Sequence, residues 1–206
     1  MTDPISKKEQ TRARILAGAG RAFRSHGYGG SGVDGLAKEA GVTSGAFYSY
    51  FKSKADAFRE AVQTGMQDLA RGIRGLRASA GDQWVPAFVD FYLTERRTCS
   101  LTESCALQSL TGEVARADEA TREVFEAELH AVVAAAADGL EGSAKARRHQ
   151  ALVMLALLSG GVSLARAVND PAFSEEIAAA IRGALAKPSS AAKPPAARSA
   201  KKRHDR

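Results

Sequence analysis

The sequence predicts an all-α fold, and three observations lead to that expectation. Apolar residues recur at three- and four-residue spacing almost throughout the chain, which is the period of an amphipathic helix. The sequence shows no sustained alternation of β-branched residues that would mark a strand. Glycine, proline and aspartate interrupt the apolar pattern at intervals and divide it into about nine helices.

The amino-terminal part is expected to hold three helices. The first covers residues 8–26 and ends at Gly27, because glycine readily adopts the conformation that stops a helix. A capping box at Ser31–Asp34 would begin the second helix, and Gly41 would form the turn that follows it. The third helix would run to about Phe51.

A longer fourth helix is expected to begin at a second capping box, Ser53–Asp56, and to continue past Leu69. Residues 187–206 are rich in proline, alanine, serine and lysine and lack an apolar face, so we expect a disordered tail there. Beyond Gly81, glycine, aspartate and proline residues separate five further predicted helices, at 84–97, 103–115, 118–140, 146–168 and 174–186.

Charge is distributed unevenly along the chain. Residues 1–54, expected to form a first domain, hold nine Lys/Arg against four Asp/Glu, a balance of +5. Residues 55–186, expected to form a second helical domain, hold thirteen against eighteen, a balance of −5. The basic tail holds seven against one, a balance of +6. This asymmetry indicates a polyanionic partner at a basic end.

The composition argues against several classes of protein. The longest apolar run, around residues 152–162, is about half a membrane span, so we expect a soluble cytoplasmic protein with no membrane partner. Cys99 and Cys105 follow no secretory signal and are expected to be free thiols. The four histidines fall at no metal-ligand spacing, and no phosphate-binding loop or nucleophile elbow is present. We therefore expect no enzyme, no metal and no cofactor.

Residues 31–54 have the spacing of a helix-turn-helix, in which one short helix braces another in the major groove of DNA. Phe47 and Phe51 would face inward, which leaves the polar side chains between them outside. Hydroxyl groups bind phosphates, glycine permits close approach, and a lysine at a helix start adds its charge to the helix dipole. A compact helical corner with exposed tyrosines would show the same spacing. The candidate DNA-binding residues are Ser31, Thr43, Ser44, Gly45, Tyr48, Tyr50 and Lys54.

Residues 12–58, which include GYGGSGVDGLAKEAGVTSGAFYSYFKSKADAF, resemble the amino-terminal domain of the tetracycline-repressor family without a gap. The resemblance covers the Gly27-Tyr28 stop and the Phe47-Tyr48 pair. It implies that double-stranded operator DNA is contacted, mostly through its backbone, by Thr43, Ser44, Gly45, Tyr48, Tyr50 and Lys54. The sequence departs from the family at Gly32 and Gly35. A glycine inside a short helix costs about 1 kcal/mol relative to alanine, so the second helix is expected to be loosely held without DNA.

A stripe of leucine and valine in the helix predicted at 146–168 is a candidate dimer interface. Taken alone, such a stripe is more often intramolecular core. The family resemblance implies that this helix and the one at 174–186 pack against those of a second subunit. A two-fold homodimer would then bind a pseudo-palindromic operator. The candidate interface residues are Leu152, Leu155, Leu158, Ser159 and Val162.

The same half would hold the site for an unknown inducer, although aromatic residues at helical spacing are also typical of plain core. Residues 103–115 are similar to a stretch in a branch of the family that responds to electrophiles and oxidants. This implies a sensor thiol at Cys105. A reactive thiol would need a nearby cation or helix terminus to lower its pKa, and the candidate cations are Arg96, Arg97 and His130. The alternative is that the thiol is a small buried hydrophobe. The candidate lining residues are Cys105, Trp84, Phe88, Phe91, Tyr92, Phe125 and Met154.

Three functional hypotheses follow from the sequence. The leading one is a ligand- or thiol-responsive one-component regulator, a repressor that binds its operator as a homodimer. The second is an architectural DNA-binding protein without a ligand, for which steep salt dependence and little sequence preference are expected. The third is a thiol enzyme or small-molecule carrier that depends on Cys105.

Overall fold

The structure, a computed structural model, describes residues 6–186 and confirms the all-α fold that the sequence predicts. The described residues contain no β-strand. The tail expected to be disordered, residues 187–206, lies outside them. The helices are α1 (Lys7–Gly30), α2 (Val33–Glu39), α3 (Ser44–Tyr48), α4 (Lys54–Ala80), α5 (Trp84–Phe91), α6 (Ala106–Val114), α7 (Glu119–Ala137), α8 (Ala144–Ala167) and α9 (Pro171–Ala186).

Helix α1 begins at a capping box and kinks at a glycine. The Ser6 hydroxyl accepts a hydrogen bond from the Glu9 N–H at 3.2 Å, and the Glu9 carboxylate accepts one from the Ser6 N–H at 2.9 Å. Gly27 has a φ of 70°, as expected of a helix stop, and one further turn continues to Gly30. The predicted break at Gly27 is therefore confirmed.

Ser31 closes α1 instead of capping α2. Its hydroxyl donates a hydrogen bond to the Gly27 carbonyl at 2.9 Å, and the side chain is buried. Helix α2 starts after Gly32, which has no side chain to cap it. The predicted capping box at Ser31–Asp34 is therefore wrong, because the hydroxyl is already committed to the end of the preceding helix.

The first three helices pack around a small apolar centre. Phe47 and Phe51 are both buried, as the sequence predicts, although α3 ends three residues before Phe51. Gly41 forms the expected turn, with a φ of 67°. Helix α2 lies so close to α1 that a Cβ atom at Gly18 would be 2.9 Å from the Cα of Ala40. The two helices are therefore in tight contact.

Helix α4 runs from the first three helices deep into the rest of the chain. The Ser53 hydroxyl accepts a hydrogen bond from the Asp56 N–H at 3.0 Å, which confirms the predicted cap. The helix packs against α1 and along much of α7. Its buried residues include Phe58, Met66 and Ile73, and they join the two halves of the chain in one continuous core. The domain boundary expected at residue 54 stays a prediction.

The segment between α5 and α6 departs from regular helix. A π-helical turn, Tyr92–Arg96, extends α5. The helix predicted at 84–97 is therefore present, but its last residues are π-helical instead of α-helical. The helix predicted at 103–115 begins later than expected. Leu101–Glu103 forms a 3₁₀ turn, stabilised by a 2.5 Å hydrogen bond from the Ser104 hydroxyl to the Leu101 carbonyl. Cys105 is therefore the residue that precedes the first turn of α6.

Helices α8 and α9 pack against each other through a glycine. A Cβ atom at Gly161 would lie 1.8 Å from the Cδ1 of Ile181, so a side chain here would require the end of the Ile181 side chain to move. By length and composition alone α8 could cross a membrane. One of its faces, which includes Met154, Leu158 and Val162, is however buried among the other helices. Helix α8 is therefore a core helix of this fold.

Candidate nucleic-acid interface and ligand cavity

Helix α3, which we call the recognition helix, starts at an exposed corner of the molecule. The Thr43 hydroxyl accepts a hydrogen bond from the Ala46 N–H at 3.1 Å and so caps the helix. Gly45 is exposed, and a Cβ atom there would meet only the Thr43 hydroxyl, at 4.0 Å. The absence of a side chain at Gly45 leaves room for close approach to this corner.

Tyr48 is the large side chain that the recognition helix exposes most. It is 55% exposed, and its ring packs edge-on against Phe47, with 5.8 Å between ring centroids. Tyr50 is half-buried and packs against the core. The Ser44 hydroxyl donates a hydrogen bond to the Asp34 carboxylate, which ties the recognition helix to α2. Of the two predicted tyrosines, Tyr48 is thus the one that faces outward.

Lys54 occupies the first turn of α4, next to the recognition helix. Its ammonium donates a hydrogen bond to the Tyr28 carbonyl at 2.8 Å and lies 4.1 Å above the centre of the Tyr28 ring. The lysine is therefore held in one place and is only half-exposed.

The structure removes one residue from the set of candidate DNA-binding residues and adds two. Ser31 is only 4% exposed and its hydroxyl is used inside the protein, so it does not lie on this surface. Two exposed lysines that the spacing argument missed, Lys38 on α2 and Lys52 just before α4, lie near it in the chain. The net positive charge of residues 1–54 is the feature of the sequence that could have indicated these two lysines.

A cavity of about 560 Å³ lies between α1, α4, the end of α5 and the start of α6. Four of the predicted lining residues, Phe88, Phe91, Tyr92 and Cys105, do line it. The other three are not among its lining residues. The Trp84 indole N–H donates a hydrogen bond to the Gly139 carbonyl at 2.8 Å, Phe125 packs on the core, and Met154 is buried in α8 beside a different cavity. Helical spacing alone did not distinguish these core residues from lining residues.

Tyr92 and Cys105 form a polar pair in the cavity wall. The Tyr92 hydroxyl donates a hydrogen bond to the Cys105 Sγ at 2.7 Å. Burial raises the pKa of Tyr92 well above its ordinary value, and the negative charge of a Cys105 thiolate acts in the same direction. Tyr92 therefore remains protonated and able to donate to the sulfur.

The cations near Cys105 differ in part from those expected. Arg96 lines the cavity, as expected. Arg24 of α1 lines it too, and it was not predicted because it lies far from Cys105 in the sequence. Arg97 instead donates a hydrogen bond to the Ser174 hydroxyl at 2.9 Å and pairs with Glu175. His130 lies on the exposed surface of α7, against Arg148. Arg97 and His130 are therefore not the partners of Cys105.

The predicted dimer residues divide into two groups. Leu155, Leu158 and Val162 are buried within their own subunit, so these three assignments are corrected to core. Ser159 is half-buried, and its hydroxyl donates to the Leu107 carbonyl at 3.5 Å. Leu152 is exposed. Apolar residues lie on both the inner and the outer face of α8. Their spacing in the sequence therefore does not show which of them face outward, and the packing of the helices does.

Helices α2 and α3, joined by the turn at Gly41, have the arrangement of a helix-turn-helix, which is a DNA-binding motif. Residues 15–61 match the family model described as bacterial regulatory proteins, tetR family. Over these residues the chain is therefore similar to the tetR family of transcriptional regulators. The named relatives are transcriptional regulators, which agrees with the expectation that the chain is not an enzyme.

Among curated relatives, the chain is 33% identical over 97 residues to the uncharacterized HTH-type transcriptional regulator YfiR of Bacillus subtilis, with 46% of each chain covered. It is 30% identical over 90 residues to the HTH-type transcriptional activator FasR of Mycolicibacterium smegmatis, with 41% of each covered. The matches thus span less than half of these relatives.

Solved structures extend the likeness in fold to most of the chain. Reduced NemR of E. coli has a TM-score of 0.71 at 22% identity, covering 87% of this chain and 99% of that one. A TetR-family regulator from Cytophaga hutchinsonii has a TM-score of 0.73 at 17% identity, covering 89% and 97%. At these identities the likeness shows a shared fold.

Proposed function

We propose that the chain is a one-component repressor that binds a pseudo-palindromic operator as a homodimer and responds to a ligand or to thiol modification in the cavity. The observation that carries this proposal is that α1 contacts both sites. Arg24 of α1 lines the cavity, and Gly18 of the same helix packs against the end of α2. The protein would act in the cytoplasm, where its DNA is.

DNA binding is assigned to the exposed corner around the recognition helix. Thr43, Gly45 and Tyr48 would enter or border the major groove, while Lys54 and the exposed Lys52 would contact phosphates. The hydrogen bond from Ser44 to Asp34 would keep the recognition helix in a fixed orientation on α2.

Dimerisation is assigned to the outer faces of α8 and α9. The exposed positions of α8 recur every four residues, which places them on one side of the helix. Phe173 begins a similar exposed strip on α9. Two such hairpins packed face to face would form a four-helix bundle and set the recognition helices about 34 Å apart. The exposed residues that form this strip on α8 are Leu152, Ala156, Gly160 and Leu164, and the exposed Val153 lies beside them.

The response is assigned to a change in the position of α1. The Arg24 Nε–H donates a hydrogen bond to the Thr102 carbonyl at 2.8 Å, which connects α1 to the segment that leads into Cys105. An occupant of the cavity that displaces this segment would move α1, and with it α2. Such a response requires that the occupant bind the two conformations with different affinity.

Selection of bound sequences from a random double-stranded DNA pool, at two salt concentrations, tests the proposal. Enrichment of a palindrome with half-sites about one helical turn apart would support a sequence-specific dimer. Salt-sensitive binding without enrichment would instead indicate an architectural protein and would overturn the proposal.

A further inference from the structure

Two arginines in the cavity wall have no carboxylate partner among the described residues. Arg24 and Arg96 both line the cavity, and neither forms an ion pair within residues 6–186. Main-chain carbonyls hold both guanidinium groups: Arg24 donates to Thr102, and Arg96 donates to Glu103. Two fixed positive charges therefore lie beside the same space.

The acidic residues of this wall are directed to other partners. Asp68 pairs with Arg71 one turn along α4, and the Glu103 carboxylate accepts a hydrogen bond from the Ser100 hydroxyl at 3.2 Å. Burial lowers the pKa of Arg24; Arg21 and Arg96 act in the same direction, whereas Cys105 and Asp68 oppose it. A guanidinium in such surroundings gains from an added negative charge.

The rest of the cavity is apolar and elongated along α4. The wall is formed mainly by aliphatic residues of α4 and by aromatic residues of α5, and the guanidinium of Arg96 stacks 4.8 Å from the centre of the Phe91 ring. The π-helical turn Tyr92–Arg96 places both of its end residues in the wall, and such turns are frequent at functional sites. The apolar lining residues are Leu69, Ile73, Leu76, Phe88, Phe91 and Ala106.

Two glycines within α4 keep one side of the cavity open. Gly72 and Gly75 line it, and a Cβ atom at either position would meet no atom within 4 Å. Packing therefore does not require glycine here, although glycine is unfavourable in the middle of a helix. Larger side chains at these positions would project into open space beside the apolar wall.

We propose that this cavity binds an amphipathic carboxylate, with its anionic group between Arg24 and Arg96 and its hydrocarbon part along α4 and α5. A volume of about 560 Å³ suits a small ligand. This assignment names the chemical class of the inducer in the proposed function. Binding of the carboxylate does not depend on that function, whereas its role as an inducer rests on it.

Calorimetric titration of the full chain with three eight-carbon probes tests the charge preference. Octanoate, octanol and octylammonium share a hydrocarbon tail and differ in the charge of the head group. Octanoate should bind about tenfold more tightly than octanol, and octylammonium should bind most weakly. Equal affinities for the three probes, or a preference for octylammonium, would overturn the proposal.

Substitution of the arginines separates charge recognition from cavity shape. Arg24→Gln and Arg96→Gln should each weaken octanoate binding by about tenfold and leave octanol binding unchanged, because only octanoate uses the charge. Arg24→Lys should restore much of the octanoate affinity. The matched control, Arg116→Gln, removes an exposed arginine of the loop after α6. An equal loss for octanoate and octanol would show a merely structural role for the arginines.

Filling the open side tests where the hydrocarbon lies. Gly72→Leu should abolish octanoate binding without lowering the unfolding temperature, whereas Gly112→Leu on the exposed face of α6 should have no effect on binding. Unchanged octanoate affinity in a folded Gly72→Leu variant would contradict the placement. These measurements use no DNA, so failure to select a palindromic operator would overturn the regulatory function and leave the binding result intact.

Discussion

Tyr48 and Ser31 both carry a hydroxyl group in the helix-turn-helix region, yet the structure gives them opposite environments. Tyr48 is exposed on the recognition helix, whereas Ser31 is buried at the end of α1. A contact with DNA and a contact within the protein should respond to mutation in different ways.

We predict that Tyr48→Ala weakens operator binding by about tenfold, because it removes a hydrogen bond to phosphate together with contact area. The free energy of unfolding should change little, since the side chain is exposed. Ser31→Ala should show the reverse pattern, with unfolding easier by about 1 kcal/mol and operator affinity retained in the folded protein. Fluorescence anisotropy with labelled operator and urea unfolding give the two quantities. Full operator affinity in Tyr48→Ala would remove this residue from the interface.

Tyr92 should make the stability of the protein sensitive to alkaline pH. Its pKa in the native state lies well above the ordinary value of 10.0. As the pH rises past that ordinary value, the unfolded chain loses the phenolic proton while the native protein keeps it. The free energy of unfolding should therefore fall with rising pH in this range.

Urea unfolding at pH values from 8 to about 11 checks this prediction. The decline above the ordinary tyrosine pKa should be smaller in Tyr92→Phe than in the unaltered protein. The exposed Tyr48→Phe serves as the matched control and should leave the decline unchanged. Equal slopes in Tyr92→Phe and the unaltered protein would show that Tyr92 is not the group responsible.

At the scale of elements, the contact between α8 and α9 depends on the missing side chain of Gly161. We predict that Gly161→Ala lowers the free energy of unfolding by about 1–3 kcal/mol, because the new methyl group would overlap the Cδ1 of Ile181. The double variant Gly161→Ala with Ile181→Val should regain much of the loss, since valine lacks that atom. Thermal and urea unfolding measure both changes.

Gly112→Ala is the control for helix propensity alone, because its surroundings are open and it should stabilise the protein slightly. If Gly161→Ala were as stable as Gly112→Ala, the Ile181 side chain would have moved aside without cost and the predicted overlap would not limit stability.

At the scale of the whole molecule, the exposed face of α8 connects the fold to the proposed dimer. Leu164 is 63% exposed on this face. We predict that Leu164→Glu converts the dimer to monomers, because the substitution would place two like charges in an apolar interface. Operator affinity should then fall, since each monomer presents one recognition helix. Sedimentation velocity and anisotropy measure the two effects.

Leu101→Glu is the matched control, because Leu101 is 46% exposed in the 3₁₀ turn before α6, which packs against α1 and is not part of the proposed interface. A Leu164→Glu variant that still sediments as a dimer would move the interface to another surface.

Features that arise within a few residues could be predicted from the sequence alone. Helix periodicity, the cap at Ser53, the turn glycine Gly41 and the inward direction of Phe47 and Phe51 all follow from contacts within about one or two helical turns. The resemblance of residues 12–58 to a known family added an expected class of protein, and the family model that matches residues 15–61 agrees with it.

The partner that each side chain meets from a distant part of the chain could be seen only once the helices were packed together. Leu158 and Leu164 both belong to the apolar pattern of α8, but one faces the core and the other faces solvent. The packing of α1 against α6 places Arg24 in a cavity with Cys105, some eighty residues further along the chain. The reason is physical: hydrogen bonds and side-chain spacing within a helix depend on neighbouring residues, whereas burial and charge pairing depend on which distant surfaces come together.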